Sequence, residues 1–369
     1  MLCKILFIQA HYFVGGHNFQ SFNNLIRNLD SSPNCNFLVS LGTKIFFKND
    51  FNKLNKNNKI LTFPSTKNSM SFINVIKAFM ISVKFRKKYD IFFYYDVDPF
   101  RLAVLHLFLG LIINKKIILY YTYNPKNYKK NILTRIEKII IRIFFSKKNN
   151  FLFLRTLDSR YRWISLLNIK KKIIFLKSID YHPASNTMVS KKGPLKFGVI
   201  GQIRYGKSLE YLNKFFKNNN NYEFCIIGGY ANDKEKTKFN FIESKFISKK
   251  IFTSYDELIS KTKKLDYLVL LYDEYLNLNY EVSTFYLAAR LKIPIIFYEK
   301  HTWLKRVYSQ YKCGLMIKSF DEFNNFYSRK NSNYLRFIKE LYRYEKDNLN
   351  TINNVKLFQK KLYQTVNYK

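Results

Sequence analysis

The sequence predicts an α/β protein built from two Rossmann-like domains. Short apolar runs alternate with helical patterns along nearly the whole chain, which is typical of parallel sheets covered by helices on both faces. The length of 369 residues exceeds what one ordinary hydrophobic core organises. Residues 180–195 lack periodicity and are rich in proline, serine and glycine, as linkers are. We therefore predict domains over residues 1–185 and 186–345, and a polar helix over residues 346–369.

The predicted strands are apolar runs bounded by polar or turn residues, and predicted helices separate many of them. The strands are expected at 4–9, 36–41, 91–95, 116–121, 151–154 and 173–176 in the first domain, and at 196–200, 223–228, 267–272 and 293–297 in the second. The helices are expected at 18–29, 70–88, 131–147, 208–217, 256–263 and 284–291.

The chain is strongly basic, with 64 lysine and arginine residues, 25 aspartate and glutamate residues and a formal charge of +39. Part of the lysine excess is typical of an AT-rich coding sequence, but the scarcity of acidic residues is not. A basic surface suits nucleic acid or an anionic membrane. Because the sequence contains no nucleic-acid-binding motif, we expect an anionic membrane surface as a partner and no nucleic acid.

Residues 132–148 mix large apolar side chains with basic ones. This composition suits an interfacial helix that binds anionic headgroups, and equally an amphipathic helix packed on a sheet.

The longest apolar run, Leu102 to Ile113, is shorter than the ~18 residues of a membrane span and predicts a core helix. The run Ile5 to Ile8 is too short for a signal peptide and predicts the first strand. Four scattered cysteines without a Cys-x-x-Cys pair suit a reducing, cytoplasmic compartment and predict no metal site.

The first candidate site follows the predicted strand 196–200. Gly201 permits a tight turn, and Arg204 and Lys207 precede the next predicted helix. A helix N-terminus favours an anion, and a fixed cation adds charge-assisted hydrogen bonds. Arg204 can fork onto one phosphate while Lys207 supplies a point charge to the other. The segment predicts a diphosphate site; the alternative is an exposed basic turn.

A second turn leads into the helix predicted over residues 284–291. Ser283 is predicted to cap this helix, with Thr284 in its first turn. Paired with the first loop, these residues form a phosphate or ribose site; alone, a capping serine needs no ligand. Glu281 is a candidate acceptor for a ribose hydroxyl, or a solvated loop acid.

The order and spacing of these two segments resemble the donor-binding half of GT-B glycosyltransferases. Residues 201–207 are similar to the family's Gly-x-Ile-Arg…Lys diphosphate loop, and residues 283–296 to its small-residue turn, Ala-x-x-x-x-x-Pro helix and following strand. The resemblance implies two Rossmann-like domains facing a central cleft and a nucleoside-diphosphate sugar as co-substrate, with no cofactor and no metal. It also implies that the C-terminal helix packs back on the first domain.

In the first domain, Gly15, Gly16 and His17 resemble the N-terminal glycine loop of the same superfamily, which faces the cleft. His17 and His11 are candidate bases or hydrogen-bond partners, because a histidine pKa lies near neutral pH; the alternative is a capping or surface histidine.

Asp96 and Asp98 follow the strand 91–95, and strand ends of open α/β sheets face the crevice. Either is a candidate base that deprotonates an acceptor hydroxyl in an inverting reaction. Asp98 precedes Pro99 and is equally suited to a turn. We interpret the Asp-x-Asp form of this pair as accidental.

The chain departs from the family in two places. Many retaining members carry two glutamates separated by seven residues, the second directly before the Ala-x-Ala helix; here Leu287 precedes Ala288, and the residue eight positions after Glu281 is Ala289. Tyr123 stands where relatives often have a histidine. The stereochemistry of the reaction therefore stays open.

The resemblance predicts a metal-independent hexosyltransferase that moves a sugar to a lipid-linked or membrane-proximal glycan. The natural setting is bacterial surface-polysaccharide synthesis, such as lipopolysaccharide or capsule, on the inner face of the membrane. The departures support an alternative, a non-catalytic nucleotide- or glycan-binding protein of the same fold. A nucleic-acid-binding protein is supported only by charge and aromatic content. A dinucleotide dehydrogenase is disfavoured because neither glycine loop reads Gly-x-Gly-x-x-Gly.

Overall fold

The computed structural model divides the chain into two compact units, residues 1–182 with 351–369, and residues 183–350. The residues that the structure describes are 4–11, 22, 25–26, 29, 35–46, 48–52, 59–65, 71–108, 115–121, 125, 131–155, 157–176, 194–219, 222–230, 233–247, 255–272, 281–320, 322, 333–349 and 351–366.

The first unit contains a seven-stranded sheet in which every neighbouring pair is parallel. Its order is β3-β2-β1-β4-β5-β6-β7, so the direction of winding reverses between β1 and β4. Strands buried on both faces read as continuous apolar runs, which is why most were predictable. The strands are β1 (Ile5–Ile8), β2 (Cys35–Ser40), β3 (Ile60–Phe63), β4 (Ile91–Tyr95), β5 (Lys116–Tyr121), β6 (Asn150–Leu154) and β7 (Ile173–Phe175).

Helices cover this sheet and close its core. On one face Phe79, Leu102, Phe144 and Trp163 pack with Leu119 of the sheet. The helices of this part of the chain are α1 (Leu41–Phe46), α2 (Lys48–Asn52), α3 (Phe72–Lys84), α4 (Pro99–Phe108), α5 (Ile132–Ser146) and α6 (Leu157–Leu167).

The second unit contains a five-stranded parallel sheet in the order β12-β11-β10-β8-β9. Its winding reverses between β8 and β10, where loops at the carboxyl ends of the strands diverge. The strands are β8 (Leu195–Ile200), β9 (Tyr222–Ile227), β10 (Tyr267–Leu270), β11 (Ile295–Tyr298) and β12 (Gly314–Ile317). The helices are α7 (Leu209–Lys217), α8 (Asp233–Lys238), α9 (Tyr255–Thr262), α10 (Ser283–Leu291), α11 (Thr302–Gln310) and α12 (Tyr334–Asn348).

Two strands that the sequence did not predict, β3 and β12, are both edge strands. Three of the four residues of β3 are only partly buried, as are the middle two of β12. An edge strand is covered less completely and need not be an unbroken apolar run, so these segments carry little signal in the sequence.

The single helix expected over residues 346–369 is two helices in the structure. After α12 ends at Asn348, Leu349 is buried and its carbonyl accepts a 3.3 Å hydrogen bond from the Arg290 guanidinium. The helix α13 (Thr351–Val366) then begins. Its Phe358 ring lies 6.3 Å from Phe7 and 5.6 Å from Phe93, centroid to centroid, so α13 packs on the sheet of the first unit.

The helix α5 corresponds to the segment for which the sequence left two interpretations. One of its faces packs on the sheet through Ile141, Phe144 and Phe145, as an ordinary amphipathic helix does. None of the helices in the described part of the chain is long and apolar enough to span a bilayer.

Candidate functional site

The loop after β8 is held against the neighbouring strand by its backbone. Gly201 N–H donates to Ile227 O at 3.0 Å, and Ile203 N–H donates to Gly229 O at 2.9 Å. Gly201 and Gly206 have φ angles of 97° and 90°, which a residue with a side chain rarely adopts. The two glycines therefore frame a tight loop at the carboxyl end of β8.

The Lys207 side chain is buried inside this loop. Its side chain is 7% exposed, and Nζ donates a 3.0 Å hydrogen bond to Ile200 O at the end of β8. Burial, and secondarily the neighbouring Arg204 charge, lower the pKa of Lys207 to about 7. An ammonium has three N–H donors, so Lys207 can donate one hydrogen bond to Ile200 O and still offer donors to an anion.

Arg204 and Tyr205 form the exposed part of the same loop. The Lys238 ammonium lies 4.2 Å from the centre of the Tyr205 ring, in cation–π geometry. The predicted diphosphate loop thus combines an exposed guanidinium with a buried amine.

The start of α10 differs from the prediction at one residue. Val282, not Ser283, is the N-cap, and no side chain caps the helix. Ser283 is the first helical residue, because the turn closes one residue earlier through the bond from Phe285 N–H to Val282 O, 2.9 Å. Thr284 is 4% exposed, whereas Glu281 is partly exposed before the helix.

Tyr272, two residues after β10, connects the two predicted segments. Its hydroxyl forms a hydrogen bond with the Thr284 side chain, and it lies within electrostatic range of Arg204. Burial raises the pKa of Tyr272 to about 12 against the smaller opposing effects of these two neighbours. The loop after β8 and the first turn of α10 therefore meet at the point where the sheet reverses its winding.

The His301 ring also lies near Tyr272, with ring centroids 5.8 Å apart. It is 3% exposed and caps α11, since Nδ1 accepts the Leu304 N–H at 3.3 Å. Burial lowers the pKa of His301 to about 4, so its imidazole is neutral at pH 7 with Nε2 as the protonated nitrogen.

In the first unit, three polar residues gather at the carboxyl ends of β1 and β4. Gln9, His11 and Asp96 are each at most 5% exposed. His11 Nε2 lies 3.0 Å from Asp96 O, and His11 N–H donates to Gln9 Oε1 at 2.8 Å. Asp96 has a φ of 57° and its N–H donates to Tyr120 O at 2.8 Å. These residues lie where this sheet reverses its winding, the usual position of a ligand site in open α/β sheets.

Asp98 has a structural role at the start of α4. Its Oδ1 accepts the N–H groups of Phe100 and Arg101, both at 3.1 Å, as a helix cap does. Of the two aspartates predicted as candidate bases, Asp96 is thus the one that lies between β1 and β4, where the sheet reverses its winding.

Neither protein-family models nor curated proteins match the sequence, but solved structures match almost the whole chain. HepE from Anabaena, in complex with UDP-glucose, superposes with a TM-score of 0.68 at 9% identity, over 98% of this chain and 99% of that one. A trehalose-phosphate synthase from Burkholderia vietnamiensis gives 0.65 at 7%, over 100% and 98%. A glycosyltransferase from Rickettsia africae gives 0.64 at 13%, over 99% and 98%.

The chain has the GT-B fold. The fold class predicted from the sequence is confirmed, and the two parallel sheets are the Rossmann-like halves of this architecture.

Two residues of the candidate site in this GT-B chain, Tyr272 and His301, were not predicted from the sequence. Tyr272 was placed inside the apolar run 267–272, although the strand ends at Leu270. The one available signal was position, since both are polar side chains just beyond strands at the carboxyl edge of the sheet.

Several predicted residues lie outside the described part of the chain, namely Gly15, Gly16, His17 and Tyr123. Among the described residues, no three or more His, Cys, Asp or Glu side chains are grouped closely enough to hold a metal ion.

Proposed function

We propose that this GT-B chain is a glycosyltransferase whose second unit binds a nucleoside-diphosphate sugar. The observation that carries the proposal is that Tyr272 lies beside both Thr284, in the first turn of α10, and Arg204, whose loop also holds Lys207. Two structural neighbours support the donor class, HepE in complex with UDP-glucose and a synthase described as UDP-forming.

The chemistry needs stabilisation of the charge that develops on the departing diphosphate. Arg204 is exposed and can bind two oxygens of one phosphate through its guanidinium fork. Lys207 has a pKa near neutrality, so it is partly unprotonated in the free protein, and an arriving dianion favours the ammonium form. A cation held in a buried position acts with little screening by water, and this electrostatic effect is the catalytic contribution of the loop.

The first unit supplies the acceptor side. Asp96 is buried at the β1/β4 switch, and the His11 ring contacts its backbone carbonyl. The Gln9 amide nitrogen is buried without a hydrogen-bond partner among the described residues, so it is a donor available to an acceptor hydroxyl. We propose Asp96 as the general base, with His11 as a positioning residue and with His17 as a further candidate.

The acceptor is proposed to be a lipid-linked or membrane-proximal glycan, in the synthesis of a bacterial surface polysaccharide. The formal charge of +39 supports a location on the inner face of an anionic membrane. We propose transfer without a metal, with Arg204 and Lys207 neutralising the charge of the diphosphate.

The first test is thermal stabilisation by UDP, GDP, dTDP, CMP and ADP, compared between the wild type and Arg204→Ala/Lys207→Ala. A ligand that binds the native state raises the melting temperature, so one nucleotide should stabilise the wild type and fail to stabilise the double variant. The matched control is Lys214→Ala/Lys264→Ala, which removes two exposed lysines of the same unit and should keep the response. Equal responses in both double variants would refute the diphosphate site.

A non-catalytic binding protein is the second candidate, favoured by Leu287 and Tyr123 at positions where the enzymes carry a glutamate and a histidine. The measurement that separates the two is turnover of the stabilising nucleotide's sugar conjugate. Binding without transfer or hydrolysis, with membrane extracts supplied as acceptor, would favour this second function.

A further inference from the structure

The face of α5 turned away from the sheet carries a row of isoleucines. Ile132, Ile136, Ile139 and Ile143 are 73, 47, 56 and 48% exposed. Their spacing of four, three and four residues places them in one line along the helix. The residues buried in the core, such as Ile141 and the phenylalanines 144 and 145, lie on the opposite side.

The helix is fixed in this orientation at both ends. At its start Asn131 and Thr134 form a capping box, with Thr134 N–H donating to Asn131 Oδ1 at 2.9 Å and Asn131 N–H to Thr134 Oγ1 at 3.2 Å. Near its end Asn150 Nδ2 donates to Phe144 O at 2.8 Å. The isoleucine row is therefore held on the surface in a fixed orientation, and contiguous exposed apolar side chains of this kind are typical of interaction sites.

The exposed charged residues named beside this row are basic. Arg135 and Arg142 are exposed beside the isoleucines, and Lys147 and Lys148 are exposed just after the helix. The helix contains one acidic residue, Glu137, which is only partly exposed and has one carboxylate oxygen buried. An apolar line bordered by cations is complementary to lipid with an anionic headgroup layer.

The competing partner for this face is the α5 helix of a second copy of the chain, because the four-three spacing also suits helix–helix contact. In such a pair the arginines 135 and 142 of both copies would border the same seam. The exposed surface of the helix offers no acidic partner to them, so like charges would oppose the association. An anionic bilayer offers acyl chains to the isoleucines and phosphates to the basic residues.

We propose that the outward face of α5 docks on an anionic lipid bilayer. The isoleucines enter the boundary between headgroups and acyl chains, while Arg135, Arg142 and the two lysines contact lipid phosphates. The inference goes beyond the donor chemistry and does not depend on it. It identifies the surface through which the first unit would approach a membrane-held acceptor.

The test is sedimentation of the full chain with vesicles of phosphatidylcholine containing phosphatidylglycerol, and with vesicles of phosphatidylcholine alone. The wild type should bind the anionic vesicles, and Ile136→Gln/Ile139→Gln should weaken that binding roughly tenfold or more, because two apolar anchors are lost. The matched control is Ile45→Gln/Leu335→Gln, which replaces residues 66 and 67% exposed on other helices and should bind as the wild type does.

A second variant reports the depth of insertion. Ile139→Trp should show a blue-shifted emission and quenching by brominated lipid on anionic vesicles, above the background of the two native tryptophans, which are at most 9% exposed. Arg135→Gln/Arg142→Gln should weaken binding and reduce its dependence on salt.

Failure of the wild type to bind anionic vesicles would overturn the proposal. Equal binding by the wild type and by Ile136→Gln/Ile139→Gln, with an unchanged emission from Ile139→Trp, would show that charge alone is responsible. If the double glutamine variant instead turned a dimer into a monomer and left vesicle binding intact, the row would be a self-association surface. Nucleotide stabilisation measured on the same variants separates each of these results from failure of the donor site.

Discussion

The Tyr272 hydroxyl is hydrogen-bonded to the Thr284 side chain, which ties the end of β10 to the first turn of α10. Thr284 is buried and Tyr272 is half-buried, and Arg204 from the loop after β8 is close enough to affect the pKa of the phenol. One tyrosine thus links the two segments that are proposed to hold a diphosphate.

Replacing Tyr272 by phenylalanine should weaken nucleotide binding several-fold, because the first turn of α10 loses its link to β10. The free energy of unfolding should fall by about 1 kcal/mol, the usual value of one hydrogen bond. Urea unfolding and nucleotide-induced thermal shifts measure the two effects. Tyr334→Phe is the control, since its hydroxyl contacts Asp266 O at 3.5 Å at the opposite end of the sheet; a loss of nucleotide response there would contradict the interpretation.

Gly228 and Gly229 should differ sharply in their tolerance of alanine. A Cβ on Gly228 would lie 2.1 Å from Gly201 O, whereas a Cβ on Gly229 meets nothing within 4 Å. Gly228→Ala should therefore displace the loop from Gly201 to Lys207, cost roughly 2 kcal/mol or more in unfolding free energy and reduce nucleotide affinity. Gly229→Ala should change neither by much. Chemical denaturation and thermal shift of the two variants check this, and similar behaviour of both would show that the loop is not packed as described.

Lys207→Met should change the pH dependence of stability. The pKa of Lys207 is lowered to about 7 in the folded state from 10.5, so between these values the unfolded chain binds the extra proton and the native state gains stability as pH rises. Below pH 7 the native state must hold a buried ammonium. The melting temperature of Lys207→Met relative to wild type should therefore be highest near pH 6 and decline towards pH 9. A pH-independent difference would mean that Lys207 stays protonated in the native state.

His301 should contribute to the loss of folding stability at acidic pH. Its pKa is lowered to about 4 from 6.5, so as pH falls from 6.5 to 4 the unfolded chain takes up the proton first and stability is lost. His301→Asn keeps a capping side chain without a titratable group and should reduce this loss. His301→Ala should in addition cost about 1 kcal/mol at pH 7, because the α11 cap is removed. Denaturant midpoints at pH 5 and pH 7 measure both effects, and parallel profiles for wild type and His301→Asn would exclude His301 as a contributor.

The sequence by itself determined much of the local structure. Ten of the twelve strands in the described part of the chain were predicted, because a strand buried on both faces must be apolar along its length whatever its neighbours are. The loop from Gly201 to Lys207 was also predictable, since a glycine, two cations and a helix start have a local physical meaning. The GT-B fold was expected because the order and spacing of these segments resemble those of GT-B glycosyltransferases.

Tertiary structure alone decided which side chains meet. Tyr272 reaches Thr284 and lies near Arg204 because β10 pairs with β8, a neighbour far away in sequence. Asp98 is a contrasting case, because it caps α4 through the N–H groups two and three residues further on, a local contact in line with the turn expected from Pro99. The direction of the α5 isoleucines also depended on packing. Periodicity shows that a helix has two faces, and only its contacts with the sheet decide which apolar residues are buried and which are left on the surface.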